Sequence, residues 1–321
     1  MGQTVHVNRV DIAQSRIVDT SLAQLGEGEL RLRIESFSVT ANNVTYAVVG
    51  DAFGYWKFFP GEGDWGVVPM WGHAVVEASN NPAIAIGERV YGYLPMATHL
   101  GVLPTGITPA GFSDGAAHRQ PMSPIYNQYS RLAADLEHDS AREAERMIFG
   151  PLFKTGFLIE AMFRREGWFG ADRVVITSAS SKTAMALASV ARDKSPEVRR
   201  IGLTSAANVA FVRAGGFYDE VLVYDDVAAL ELRPSVSVDF AGNAAVLLAI
   251  HSLGQQAALL VHRGRDSCRG WLWTRQRSNS GTPTDALLRP RPCSRGDQGF
   301  GPKVIRRSGS GKLEALPWRN R

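Results

Sequence analysis

Arg173-Val174-Val175-Ile176-Thr177-Ser178-Ala179-Ser180-Ser181-Lys182-Thr183-Ala184 decides the fold. Its first five residues are a short β-branched run, the signature of a strand buried on both faces. Small hydroxyl residues then form a turn, and Lys182 to Arg192 is an Ala-rich helix former. The alternation continues outward. Ile201 to Thr204 reads as a strand, Asn208 to Ala214 as a helix, Glu220 to Tyr224 and Val236 to Phe240 as strands, Asn243 to Leu253 as a helix and Ala257 to Val261 as a strand. Strands that alternate with helices of about ten residues make a parallel sheet with right-handed crossovers. The expectation is a Rossmann-type α/β domain over 139–262.

Upstream the pattern differs. Leu30, Leu32 and Ile34 alternate with Arg31, Arg33 and Glu35, a half-buried strand, and Gly87 to Tyr93 reads as another strand after a turn. Gly and Pro recur through 50–125, which excludes long helices there. Residues 1–138 are therefore expected to be a β-rich domain, a small barrel or folded sheet with long loops. Ser140 to Arg146 reads as one helical run, and Pro151 is expected to open a second one through Phe163.

Downstream of His262 the periodicity stops. Residues 263–321 carry 14 basic side chains against 4 acidic ones, net +10, leaving 1–262 with 21 basic and 27 acidic, net −6. Cys268 and Cys293, the two cysteines, also fall in this segment. The segment reads either as a disordered basic tail or as an out-of-frame translation foreign to the fold. The overall positive charge accordingly says nothing about the folded body, and nucleic acid is not an expected partner. No apolar run is long enough for a membrane span, and the N-terminus has no secretory pattern. A cytoplasmic protein acting on a small molecule, with self-association as a homodimer, is the expectation.

The turn after the first parallel strand is the place for an anion. Backbone N–H groups and the dipole at the start of the following helix attract a dinucleotide pyrophosphate. The glycines of G-x-G-x-x-G are replaced here by Ser178, Ala179, Ser180 and Ser181, with Lys182 and Thr183 adding a charge and a hydroxyl. The alternative reading is a Ser/Thr N-cap on an ordinary helix. The spacing of a Walker loop is absent. About 26 residues beyond Ser178, where an acid would read the ribose of NAD, stand Thr204 and Ser205, with no acid between Ile201 and Val212. Such a position does not repel a 2′-phosphate and favours NADP over NAD; a simple loop or a decayed nucleotide site is the alternative. Gly242, in the turn after Val236 to Phe240, completes the expected cofactor-binding set.

Other chemistries are poorly supported. The seven histidines are scattered at 6, 73, 99, 118, 138, 251 and 262, and no cysteine precedes residue 263, so zinc sites that use cysteine are excluded from the body. His73, in Trp71-Gly72-His73-Ala74, reads as a lone core or loop histidine. No G-x-S-x-G nucleophile elbow occurs. Phe53, Tyr55, Trp56, Phe58, Phe59, Trp65 and Trp71 either line an apolar substrate pocket or pack a core.

Four segments together resemble a known family. They are Thr40-Ala41-Asn42-Asn43-Val44-Thr45-Tyr46-Ala47, Tyr55-Trp56-Lys57-Phe58-Phe59-Pro60, Gly87-Glu88-Arg89-Val90-Tyr91-Gly92 and Ser178-Ala179-Ser180-Ser181-Lys182-Thr183-Ala184. Over roughly residues 5–262 the chain resembles the DUF2855 family, within the zinc-independent, quinone-oxidoreductase-like branch of the medium-chain dehydrogenase/reductases. The resemblance implies a GroES-like catalytic domain packed on a nucleotide-binding domain, with NADPH in the cleft and no metal. It implies that Asn42 positions cofactor or substrate and that Tyr46 hydrogen-bonds a carbonyl oxygen as hydride arrives. The implied activity is NADP(H)-dependent reduction of a carbonyl or an activated alkene. The alternative is a catalytically inactive, nucleotide- or partner-binding member of the same fold.

Overall fold

A computed structural model of the chain describes residues 1–231, 233–253, 258–262, 272–276, 287–288, 303–307 and 313–317. These divide into two units, Met1–Pro151 and Leu152–Arg321.

The first unit is β-rich, as its turn-laden sequence predicts. Strands β1 (Gly2–Asn8), β2 (Ser15–Thr20), β3 (Leu30–Phe37), β4 (Trp65–Gly66), β5 (Pro69–Ser79), β6 (Arg89–Pro95), β7 (His99–Val102), β8 (Pro104–Thr105), β9 (Gly111–Asp114) and β10 (Gln128–Arg131) form two sheets. One has the order β2-β1-β4 and the other β7-β3-β5-β6-β10-β9-β8. Leu30, Leu32, Ala74, Val76, Val90, Leu94 and Tyr129 pack one core between strands. A second core is aromatic, built from Tyr46, Tyr55, Trp56, Phe58, Phe59 and Tyr93.

Two short helices interrupt the strands, α1 (Ala41–Val48) and α2 (Gly50–Phe53). The first starts at Thr40, whose hydroxyl accepts from the Asn42 amide while the Asn43 side chain accepts from the Thr40 amide, a reciprocal cap. The Asn43 amide also donates to the Pro69 carbonyl at 3.1 Å, tying α1 to the start of β5.

Helix α3 (Glu143–Arg165) corrects the sequence reading at Pro151, which lies inside one continuous 23-residue helix and opens none. Proline removes the N–H that would bond the carbonyl four residues back. That carbonyl belongs to Met147, and the Ser38 hydroxyl donates to it at 3.1 Å. A side chain more than a hundred residues away in sequence thus repairs the break, which no local pattern could reveal. The division between the two units falls within this helix.

The second unit follows the predicted alternation closely. Strands β11 (Arg173–Ile176), β12 (Arg199–Thr204), β13 (Glu220–Val223), β14 (Ser235–Asp239) and β15 (Ala258–His262) alternate with helices α4 (Lys182–Lys194), α5 (Val209–Ala214) and α6 (Ala244–Leu253). All five strands are parallel, in the order β13-β12-β11-β14-β15. That is the doubly wound order, whose switch point lies between β11 and β14. Ile159 and Phe163 of α3 and Leu187, Ala188 and Ala191 of α4 cover one face through Val174, Ile176 and Val236. Val246 and Ile250 of α6 cover the other through Val175, Ile201 and Leu203. Gly156 lets α3 approach α4, since a β-carbon there would lie 2.6 Å from the Leu187 nitrogen.

Within the segment 263–321, where the sequence reading placed no strands, β16 (Leu272–Gln276), β17 (Leu287–Leu288), β18 (Lys303–Arg307) and β19 (Leu313–Pro317) extend the sheet antiparallel from β15. The rest of that segment, including both cysteines, lies outside the described residues.

Candidate functional site

In the second unit, the ends of β11, β12 and β14 bring most of the expected anion-binding residues together. Ser178 takes a left-handed backbone, φ 51°, which is unusual for a residue with a side chain. Its amide donates to the Tyr224 hydroxyl at 2.9 Å. Ala179 is buried, its amide donating to the Leu203 carbonyl and its carbonyl accepting from the Tyr218 hydroxyl. Ser180 accepts at Oγ from the Asn208 amide nitrogen at 3.2 Å, which links the β11 turn to the end of β12. Ser181 is the N-cap of α4, accepting from the Ala184 amide. Lys182 and Thr183, the first two helical positions, leave their N–H groups with no acceptor inside the helix. The N-cap reading of Ser181 is therefore correct, and it coexists with two first-turn amides that have no acceptor inside the helix, the feature by which helix N-termini attract anions.

Thr204 ends β12 buried, and Ser205 follows it exposed; no acidic side chain occupies this turn. Gly242 sits at φ 66°, with its amide on the Asp239 carboxylate. Asp239 is the residue here that sequence reasoning missed. Almost fully buried, it accepts from the Thr177 hydroxyl at 2.5 Å and from the amides of Ala241 and Gly242, so it fixes the two turns on either side of the switch point. The signal was an acid ending a β-branched strand just before Phe-Ala-Gly. Tyr224 was missed as well, because its contact with Ser178 spans 46 residues.

In the first unit, Asn42 and Tyr46 sit one turn apart on α1, and the Asn42 amide donates to the Tyr46 hydroxyl at 2.6 Å. Tyr46 is buried. Its ring lies 4.4 Å from that of Tyr55 and edge-on to Tyr93 at 5.8 Å. Tyr55, Trp56, Phe58 and Phe59 are core, with Phe53 and Trp71 packed against them. Trp65 is instead half-buried beneath the Arg16 guanidinium, 4.1 Å from its ring centre.

Strands β5 and β6 pair Trp71 with Tyr93 and His73 with Tyr91, which sets all four on one face beside Tyr46. The Arg146 guanidinium lies 4.3 Å over Tyr91 and pairs with Asp135. Along this row the buried polar atoms lack partners. Trp71 Nε1, both ring nitrogens of His73, the Tyr93 hydroxyl and Arg146 Nη1 are five of the eight such atoms among the described residues. A buried polar atom without a partner is costly, so their concentration on one face sets this row apart from the rest of the core.

Burial drives the His73 pKa down to about 4, against an opposing pull from Glu143. Burial pushes the Tyr91 and Tyr93 hydroxyls well above the usual phenol range. Near His73, Arg89 grips Glu143 with two hydrogen bonds of 2.7 and 3.0 Å and reaches Glu35 with a third. His138 bonds Glu143 as well. The Arg89 bonds hold the Glu143 carboxyl down at about 2. The charges around the row are thus mutually neutralised, and its His73 is uncharged near pH 7. Of the two readings of His73, a lone core or a loop histidine, the structure shows the core one.

Among the described residues no group of three or more His, Cys, Asp or Glu side chains is placed to hold a metal ion. Likewise no helix among them is long and apolar enough to cross a membrane.

Several solved structures share the fold. CurA from Vibrio vulnificus in complex with NADPH superposes with a TM-score of 0.51 at 15% identity, over 78% of this chain and 68% of that one. The CurK enoyl reductase gives 0.52 at 11% identity, over 83% and 75%. The CurF ER cyclopropanase of the curacin A biosynthetic pathway gives 0.52 at 9%, over 82% and 75%. At these identities the likeness is one of fold: the GroES-like and Rossmann-type architecture of medium-chain dehydrogenase/reductases. No curated protein matches the sequence. One family model does, over residues 37–266, and by that match the chain belongs to DUF2855, described as a protein of unknown function.

Proposed function

We propose that the protein is an NADP(H)-dependent oxidoreductase that works without zinc and reduces a carbonyl or an activated alkene. The observation that carries this reading is the Asn42–Tyr46 hydrogen bond of 2.6 Å, set beside the unpartnered polar row of β5 and β6. In this reading residues 1–138 form the catalytic domain and 139–262 the nucleotide-binding domain. The fold is shared with CurA from Vibrio vulnificus, solved in complex with NADPH, and with the CurK enoyl reductase.

The turn at Ser178–Thr183 suits a pyrophosphate: two free amides, small side chains and Lys182 meet at a helix start. Thr204 and Ser205 place hydroxyls and no carboxylate where the adenosine ribose would lie, which suits a 2′-phosphate. Gly242 and Asp239 hold the facing turn in place. NADPH, when bound, would supply the hydride. The chain's part is to hold the acceptor oxygen by the Tyr46 hydroxyl as negative charge develops on it. Asn42 donates to that hydroxyl oxygen, which orients the phenol. The aromatic wall of Tyr55, Phe58 and Tyr93 excludes water, which strengthens such a bond.

The second reading, a non-catalytic nucleotide- or partner-binding member of the fold, is favoured by one contact. The Tyr224 hydroxyl already occupies the Ser178 amide. Consumption of NADPH with a panel of quinones, enals and aldehydes separates the two. The reductase reading expects turnover with at least one of them, and expects Tyr46→Phe to lower kcat by about 10- to 100-fold with little change in NADPH affinity. Unchanged turnover in that variant removes Tyr46 from the mechanism. NADPH binding with no oxidation across the panel favours the non-catalytic reading.

A further inference from the structure

Ser178 is one of three non-glycine residues with positive φ among the described residues, and it opens a turn where a G-x-G-x-x-G fold uses glycine. Glycine adopts that backbone freely, whereas a side chain there shifts the balance against it by about tenfold. No glycine occurs from Ser178 to Thr183, so other groups must hold the turn.

The turn is held from its neighbours in the sheet. The Thr177 hydroxyl donates to Asp239 at the end of β14, and the Ser180 hydroxyl oxygen accepts from Asn208 beyond β12. The Ser178 amide, whose direction is set by φ, donates to the Tyr224 hydroxyl at 2.9 Å. The Ala179 carbonyl accepts from the Tyr218 hydroxyl at 3.0 Å. Tyr218 and Tyr224 flank β13, which is separated from β11 by β12. Gly202 of β12 gives Tyr218 passage: a β-carbon there would lie 2.9 Å from both the Ala179 β-carbon and the Tyr218 ring. Two tyrosines thus brace two consecutive residues of a turn that has no glycine of its own.

We propose that Tyr224 is a positioning residue of the dinucleotide site, its hydroxyl keeping Ser178 in the left-handed backbone that glycine adopts unaided. The proposal rests on the reading of this turn as the NADPH site. The bond spends the Ser178 amide, and the Lys182 and Thr183 amides, with no acceptor inside α4, are left for phosphate. Tyr224 acts on the cofactor through the turn and does not touch it. Without the hydroxyl Ser178 relaxes, and the cofactor must restore the turn when it binds, which lowers its apparent affinity.

The test uses the full chain as wild type, Tyr224→Phe, Ser178→Gly and the double variant. Phenylalanine fills the same half-buried space, so the fold is kept. Calorimetric titration gives the NADPH dissociation constants, and urea unfolding without ligand gives the stabilities. Tyr224→Phe alone is expected to weaken NADPH about tenfold, and less than about twofold in the Ser178→Gly background, where the backbone carries no strain. Ser178→Gly is expected to raise the urea midpoint more in the wild type than in Tyr224→Phe, whose turn has already relaxed. Unchanged affinity in Tyr224→Phe overturns the proposal. An equal loss of affinity in both backgrounds overturns it too, since Tyr224 then touches the cofactor itself. An equal gain in midpoint in both backgrounds shows that the hydroxyl does not hold the turn, and this also overturns it. No NADPH binding by any of the proteins overturns the cofactor reading and this proposal with it, a failure that the unfolding cycle distinguishes from an idle hydroxyl.

Discussion

Replacing His73 by phenylalanine should stabilise the protein, and more in acid than at neutral pH. His73 is fully buried with both ring nitrogens unpartnered. Its pKa falls from 6.5 to about 4, chiefly because burial disfavours the charged ring, while Glu143 opposes and Arg146, Arg89 and His138 reinforce the shift. A histidine depressed in the fold stays neutral there while the unfolded chain takes up a proton. Unfolding therefore gains protons between pH 6.5 and 4, and stability falls as pH falls through that window. At pH 5 the loss from this one group is about 2 kcal/mol relative to pH 8. Phenylalanine has no such limb. It also removes two unsatisfied polar atoms, each costing roughly 1–3 kcal/mol, against about 1–3 kcal/mol for the slightly larger ring. Urea unfolding of both proteins at pH 7.5 and pH 5.0 reads the difference. The gap in favour of His73→Phe should widen by about 2 kcal/mol at pH 5.0. A gap that stays constant with pH would show that His73 titrates as an ordinary histidine, and the account of a buried unpartnered ring would be wrong.

Two further substitutions test how the first unit is held together. Arg119 is fully buried and bonds Asp114, Asn127, Tyr129 and the Tyr126 carbonyl. Arg119→Ala leaves Asp114 buried and unpaired, and thermal unfolding should show a loss of about 3–5 kcal/mol. Ser38→Ala leaves the Met147 carbonyl without its hydroxyl and should cost about 1 kcal/mol. In a Pro151→Ala background the helix recovers its own N–H, so the same Ser38→Ala change should cost about half as much or less, a coupling that a double-mutant cycle measures.

The βα alternation was legible almost to the residue. Parallel strands buried on both faces read as β-branched runs, and each predicted strand and helix from Arg173 to His262 appears within about two residues of its expected place. The turn between β11 and α4 was legible too, because its residues adjoin in sequence. What escaped was made by distance. Ser38 repairs Pro151 from the other end of the unit, Tyr224 caps Ser178, and Asp239 ties the two turns at the switch point. The row of Trp71, His73, Tyr91 and Tyr93 exists only through β5–β6 pairing, whose register no local pattern states. Helix α1 was missed for another reason. It is eight residues long and lies before the Gly- and Pro-rich stretch 50–125, and the sequence reading assigned no element there.

In the proposed function, the Ser178–Thr183 turn and the acid-free end of β12 together take a 2′-phosphorylated dinucleotide. Thermal unfolding of the purified chain with NADPH, with NADH and with neither tests both parts at once. A ligand that binds only the folded state, present at a hundred times its dissociation constant, adds about 2.7 kcal/mol of stability. A clear upward shift with NADPH and a smaller one with NADH are expected. A protein that melts cooperatively at the same temperature in all three conditions would contradict it, and Ser181 would then be a helix cap and nothing more.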